Sequence, residues 1–382
     1  MLLGGNDAFS LAAVAADCRL YAAYPMTPAS SVLTTLASWQ QKTGMVVRHA
    51  EDEISVINTA LGSAFAGIRS AVGTSGGGFA LMAESISFAG VAEIPIVIFL
   101  SQRPGPATGI PTWTEQGDLL FACFTGHGEF PKIVLAPGDA AEMVQMGMDA
   151  FTIADTYQLP VIILSDKCLS ENHIDVSADW VQKICSAYKV DRGAIVTDTQ
   201  QSPYLRYKIT EDGISEMLIP GAPGKFYQSN SYEHIEDSHT TEDSAPRIAQ
   251  VHKRAHKIKT YHAKHFQLPT VMGDVKTSQH VFVSWGGTKG VVEEARRALA
   301  TEHIETAHMH FTHVYPLDAE KVKALFIPKA SYILVENNGT AQFGQLLRMQ
   351  TGIEIPQKLL KCDGRPIETE EIVAFVQQLK QI

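Results

Sequence analysis

The sequence predicts an α/β protein: a domain built on a mainly parallel sheet, then a second, smaller α/β unit. Three observations predict it. Through residue 175, strand-length apolar runs alternate with helix-length amphipathic stretches, the pattern of βαβ units. Residues 94–100 form a continuous apolar run, which suits a strand covered on both faces. After a polar stretch of weak periodicity, the alternation resumes near residue 270 and continues to the end. The 382 residues therefore divide into a first domain at 1–175, a connecting segment at 176–268 and a second domain at 269–382.

In chain order, Gly4 and Gly5 lead to Asn6, read as the N-cap of an Ala-rich helix reaching residue 16. A strand at 20–23 opens onto Tyr24-Pro25-Met26-Thr27-Pro28 and a helix at 32–42. Pro25 and Pro28 stiffen the strand-to-helix corner around Thr27, which by spacing alone is a plain cap residue. An apolar strand at 46–47 runs into Glu51, Asp52 and Glu53 and then a helix with Ile54, Ile57, Leu61 and Ala64 on its apolar face. Glu53 falls with Ile57, Ala60 and Ala64, whereas Glu51 and Asp52 fall toward Ser55, Asn58 and Thr59. A carboxyl group turned to the dry side can hold or hand over a proton near neutrality. The plainer reading makes Glu53 an N-terminal charge favoured by the helix dipole.

A short strand then ends at Thr74-Ser75-Gly76-Gly77-Gly78, followed by a helix near 79–90. The apolar strand at 94–100 ends in a loop rich in Gly and Pro that begins Ser101-Gln102-Arg103, at the edge where open α/β sheets bind ligands. Arg103 there either grips a carboxylate bidentately or stands solvated. The first domain closes with a strand at 133–136, a helix at 140–157 and a strand at 160–166. In the connecting segment, residues 229–246 read as an exposed connector whose His and acidic residues leave room for interface contacts, and 247–262 as a helix. The second domain shows strands at 280–284, 306–311 and 331–336 and helices at 289–301, 319–326 and 369–379. Asn337-Asn338-Gly339 makes a turn suited to positive φ.

A hydrophobic share of 45% with 19% charged residues fits a globular protein with a real core. The formal charge of −10 argues against nucleic acid and anionic membranes as partners. The five cysteines never form C-x-x-C, which excludes a local iron–sulfur or structural zinc motif and a disulfide framework. They fit a reduced cytosol, and MLLGGNDAF lacks the basic start of a signal peptide, so a soluble cytoplasmic protein is expected.

Three chemistries compete. Gly73-Thr74-Ser75-Gly76-Gly77 matches G-x-S-x-G, the nucleophile elbow of serine hydrolases, although the second domain interrupts the order a triad needs. His308 and His310 share a strand face, with His313 close by, and have metal-ligand chemistry; a strand ending at an interface is the plainer account. Neither G-x-G-x-x-G nor a Walker lysine accompanies the glycines, so dinucleotide and nucleoside triphosphate sites are poorly supported.

The third chemistry comes from a resemblance. GND-A at 5–8, YPMTPAS at 24–30, AEDEISVINTALGSAFAG at 50–67, TSGGGFALM at 74–82, QRPGPATGIPTWTEQGDL at 102–119 and GHGEFPKIVLAP at 126–137 resemble the alpha chain of the 2-oxoacid:ferredoxin oxidoreductases. Within that family the 2-oxoglutarate type is most similar, and VYPLDAEKV, VENNGTAQFGQLL and DGRP resemble its transketolase-C-like domain. The resemblance implies a pyrimidine-binding domain for thiamine diphosphate, followed by that second domain. It implies that Glu53 bonds the aminopyrimidine ring and thereby activates the cofactor, and that Thr27 and Arg103 hold the substrate. It also implies that Pro25, Gly76 and Gly77 sit against the cofactor. A beta subunit is expected to carry the diphosphate with Mg²⁺ and a [4Fe-4S] cluster. Electrons go to ferredoxin, the acyl group goes to coenzyme A, and the reaction can run backwards to fix CO₂. Long alpha chains of this family carry an amino-terminal gamma domain; here Met1 directly precedes the pyrimidine-type domain, so a separate or absent gamma domain is expected.

Overall fold

The computed structural model describes residues 1–379. Seven strands form the first sheet, in the order His313–Tyr315, Ile133–Leu135, Pro160–Asp166, Ile96–Gln102, Ser70–Thr74, Leu20–Ala23, Val46–His49. All pairs are parallel except His313–Tyr315 with Ile133–Leu135. The chain steps from Leu20–Ala23 outward to Val46–His49, then crosses back to Ser70–Thr74 on the other side. Winding therefore reverses between Leu20–Ala23 and Ser70–Thr74, and the carboxyl ends of these two strands open a crevice of the kind that holds ligands.

Helices cover both faces. Phe9, Val32, Leu36 and Phe151 pack one side, and Val56, Ile57, Leu61 and Ile86 the other. All seven residues of Ile96–Gln102 are buried between them, as the apolar run requires. The second sheet runs Thr270–Met272, Thr306–Phe311, His280–Trp285, Tyr332–Glu336, Gln357–Leu360 and is parallel except for its first strand. Trp285, Phe311 and Phe343 share a core with Ile98 and Leu100, so apolar packing is continuous between the units. Among the described residues, no helix is long and apolar enough to cross a membrane.

Several local expectations need correction. The first helix, Gly5–Ala15, begins after Gly4, and Asn6 lies inside its first turn. The buried Asn6 amide donates instead to Pro28 O at 2.8 Å and Ser31 Oγ at 2.6 Å, tying that helix to the Thr27 corner. Residues 79–90 are not one helix; Gly76–Leu81 and Ala83–Val91 meet at Met82. Ile54, expected on the apolar face of Glu53–Phe65, is 51% exposed. In the Asn337 turn, positive φ falls on Ala341 at 53°, not on Asn337, Asn338 or Gly339.

The connecting segment at 176–268 also packs against the first unit. Arg206, Lys253 and Lys257 are buried against the first unit, and Glu233 accepts both Nη atoms of Arg254 at 2.9 and 2.7 Å. Several acids and bases of this polar stretch pair with each other or with the first unit, which periodicity cannot reveal.

Candidate functional site

Five chain segments meet at the crevice in a ring of contacts. Arg103, just beyond Ile96–Gln102, donates from Nη1 to Thr27 O at 2.7 Å. Thr74 at the end of its strand reaches Met26 Sδ at 4.0 Å. Asp118 N donates to Gln102 Oε1 at 2.9 Å, and the Asp118 carboxylate lies so close to Gly76 that a Cβ there would stand 2.6 Å from Oδ2. A Cβ on Gly78 would stand 2.4 Å from Glu53 Oε1 and 2.2 Å from Thr74 Oγ1. Glycine at these two positions is what lets two acids close on one short helix. At Gly77, by contrast, an added Cβ meets nothing within 4 Å, and the residue is exposed to open space.

Glu53 is the first residue of its helix, and Asp52 caps it by accepting Ser55 N at 2.7 Å. Glu53 itself is 4% exposed, and its Oε1 is buried without a hydrogen-bond partner. An unsatisfied buried polar atom costs about 1–3 kcal/mol, so its persistence points to a ligand that completes it. Arg103 is half-buried, and among the described residues no carboxylate lies within ion-pair distance of it. Its fork therefore remains available to a ligand carboxylate. Burial raises the Asp118 carboxyl to about 6, against the pull of the Arg103 charge.

Of the residues singled out by sequence, Glu53, Thr27, Arg103, Gly76 and Gly77 thus converge, with Thr27 contributing its carbonyl to Arg103. Pro25 sits exposed in the same corner. Asp118 was missed as a site residue. Asp118 stands where an N-cap belongs, before Leu119–Phe124, yet its side chain makes no cap bond; only the packed structure shows that it faces Gly76 instead.

The competing chemistries fare differently. Ser75 Oγ is buried with no hydrogen-bond partner, so no imidazole activates it and the hydrolase elbow lacks its base. His308 is held between Glu293 Oε1 at 2.7 Å and Ser284 Oγ at 2.8 Å, and burial lowers its pKa to about 4. His310 Nε2 faces Glu142 Oε2 at 3.3 Å across the two units, and His313 Nδ1 pairs with Tyr261 OH at 2.6 Å. These carboxylates come from distant helices, and among the described residues no three His, Cys, Asp or Glu side chains are grouped to hold a metal. A cavity of about 240 Å³ lies between the units, lined by Gln116, Asp166, Gly287 and Asn337, and contains none of the converging residues.

Residues 11–254 match the family described as pyruvate flavodoxin/ferredoxin oxidoreductase, thiamine diphosphate-binding. The 2-oxoacid:ferredoxin oxidoreductase 1 subunit alpha of Sulfurisphaera tokodaii is 35% identical over 387 residues, covering 97% of this chain and 60% of that one. The chain thus spans about 60% of the length of such curated relatives. The 2-oxoglutarate synthase subunit KorA of Methanothermobacter thermautotrophicus is 26% identical over 379 residues, 99% of this chain and 98% of that one. Among solved structures, the 2-oxoglutarate:ferredoxin oxidoreductase of Magnetococcus marinus, with 2-oxoglutarate, coenzyme A and succinyl-CoA bound, superposes with a TM-score of 0.91 at 32% identity, over 99% of this chain and 65% of that one.

Proposed function

This chain belongs to the thiamine-diphosphate-binding pyruvate flavodoxin/ferredoxin oxidoreductase family, and we propose that it is the alpha subunit of a 2-oxoacid:ferredoxin oxidoreductase preferring 2-oxoglutarate. The proposed reaction converts 2-oxoglutarate, coenzyme A and oxidised ferredoxin to succinyl-CoA, CO₂ and reduced ferredoxin, and is reversible.

The observation that carries this reading is the bare, buried Glu53 Oε1, which Gly78 approaches so closely that a Cβ there would stand 2.4 Å from it. An aminopyrimidine ring would supply the missing hydrogen-bond partner, so the residues present fit thiamine diphosphate. Glu53 would hold its pyrimidine, with Gly76, Gly77 and Pro25 alongside. When bound, the cofactor supplies the electron sink that lets a 2-oxoacid lose CO₂. Arg103 would clamp the substrate carboxylate in two parallel bonds, steadied by Thr27. The preference for 2-oxoglutarate is supported by the names of the KorA relative and of the Magnetococcus marinus structure.

A beta subunit holding the diphosphate, Mg²⁺ and the [4Fe-4S] cluster would complete the site, with ferredoxin as acceptor and a gamma domain or chain serving coenzyme A. Two features support a partner. Ile54 and Leu81, on the helices that carry Glu53 and Gly76–Gly78, are 51 and 53% exposed, apolar surface suited to a covering chain. Burial also pushes the Cys18 thiol up to about 12 and that of Cys123 higher still, which makes them poor cluster ligands.

In the assembled complex, Glu53→Gln is expected to leave assembly intact and to lower oxoacid-dependent reduction of a dye at least about 100-fold; near-normal turnover would refute the assignment. Arg103→Ala should raise the KM for the oxoacid at least about tenfold with that for coenzyme A unchanged, and equal effects on both would remove the clamp. A panel of 2-oxoglutarate, pyruvate and branched oxoacids decides the substrate.

A further inference from the structure

The loop that carries Arg103 has no helix or strand of its own between Gln102 and Leu119. It is rich in glycine and proline, and 105–110 are exposed. The first unit holds it through Arg103 Nη1 to Thr27 O, Thr114 Oγ1 to Asp166 Oδ1 and Cys168 N to Thr114 Oγ1, and the second unit holds it as well. The Arg365 guanidinium lies over the Trp113 ring at 3.3 Å from the centroid. Next to it, Gly364 O accepts from Thr114 N at 3.2 Å. Gly364 itself has φ +80°, and a Cβ there would touch Ile110, Pro104 and Trp113 at 3.4, 3.5 and 3.5 Å, so this tip is fitted to the loop. Beyond it the loop is bound to the second unit's other carboxyl-edge turns: Gln116 N donates to Asn337 O at 2.7 Å, Asn337 N to Gln116 Oε1 at 2.9 Å, and Gln342 Nε2 to Gly117 O at 2.6 Å. The Gln116 end is therefore pinned several times over, while the 104–113 half, nearer Arg103, meets the second unit at the 364–365 tip.

We propose that Arg365 is a positioning residue for substrate recognition: stacked on Trp113, it holds the 103–118 loop, and with it the Arg103 guanidinium, at the carboxyl edge of the first sheet. The inference rests on the reading of Arg103 as the substrate's carboxylate clamp. A planar guanidinium is needed for this, because a lysine ammonium presents no flat face to the ring. Arg365 is exposed, so its replacement leaves the core untouched.

The test uses the assembled complex with Arg365→Ala, Arg365→Lys and Trp113→Phe, each followed by hydrogen–deuterium exchange over residues 104–115 and by steady-state kinetics. Arg365→Ala is expected to speed exchange in that segment and to raise the oxoacid KM about three- to fivefold, with kcat and the coenzyme A KM unchanged. Arg365→Lys should behave like Arg365→Ala, and Trp113→Phe, which keeps a ring face, should stay near the parent. Unchanged exchange in Arg365→Ala would overturn the tether. Faster exchange with an unchanged KM would overturn its link to substrate. If Arg103→Ala itself left the KM unchanged, the clamp would fail, and the inference with it, whatever the exchange showed.

Discussion

At the carboxyl edge of the first sheet Glu53 is buried with a bare oxygen; at the amino edge Glu93 is buried with both oxygens taken. Glu93 is fully buried, yet Lys253 Nζ donates to its two oxygens at 2.6 and 2.8 Å, and Lys257 Nζ lies 2.6 Å from Oε2. Arg206 Nη2 also holds Glu93 O at 2.7 Å, securing a residue whose φ is +52°. Burial alone would raise the Glu93 carboxyl, but the two lysine charges bring it below its ordinary value. The same residue type, equally hidden, thus does opposite jobs. Glu93 binds residues 176–268 to the first unit, whereas Glu53 Oε1 has no hydrogen-bond partner. Hydrogen-bond completion, rather than burial, separates a structural acid from a candidate catalytic one.

The widest gap should come from neutralising each acid. Glu93→Gln strands buried cations and is expected to destabilise the chain by about 3–5 kcal/mol at pH 7, with activity per folded molecule preserved. Burial already lowers Lys257 to about 7 and Lys253 to about 8. The loss should therefore shrink by pH 9, where the lysines shed their protons more cheaply, as denaturant titrations at the two values would show. Glu53→Gln alters a carboxyl whose Oε1 has no hydrogen-bond partner, so its stability should stay within about 1 kcal/mol of the parent or rise. Loss of several kcal/mol in Glu53→Gln would erase the distinction between the two acids.

Asp118 lies between these extremes, buried against Gly76 with the Arg103 charge as its counterweight. Its folded pKa is raised from 3.8 to about 6. The folded state therefore binds this proton more tightly than the unfolded one. That contribution is complete below pH 3.8 and is lost as pH rises through about 6. Asp118→Asn should be more stable than the parent above pH 6, by at most about 3 kcal/mol, and equal to it below about 4. A pH-independent difference would show that Asp118 is as well paired as Glu93.

Much of this contrast was legible in sequence on the Glu53 side and almost none of it on the Glu93 side. The helical period placed Glu53 with Ile57, Ala60 and Ala64, and these four residues are buried together. The strand at 160–166 and the helix at 140–157 were readable because local apolar periodicity and tertiary burial agree there. Glu93 read only as an interruption of an apolar run, since its partners lie 160 and 164 positions away on a polar helix. Asp118 escaped for a related reason: its meaning is a close approach to another segment, which no single segment encodes. His313–Tyr315 is the sharpest case, a three-residue strand that leaves its own unit to complete the edge of the other sheet.

The smallest effect tests how Glu53 is aimed. Asp52 Oδ1 caps the helix by accepting Ser55 N at 2.7 Å, and Glu53 is the very next residue. Asp52→Ala should cost about 1 kcal/mol, and Asp52→Asn, which keeps an acceptor, should cost much less. If the cap only stabilises the helix, both variants should show unaltered turnover once folded. If it also fixes the inward turn of Glu53, Asp52→Ala should lower kcat while Asp52→Asn restores it. Glu93 has no comparable cap, since ion pairs fix its side chain directly. A kcat that tracks the cap would show that the bare carboxyl is held in place by one neighbouring hydrogen bond, where the satisfied one is held by its cations.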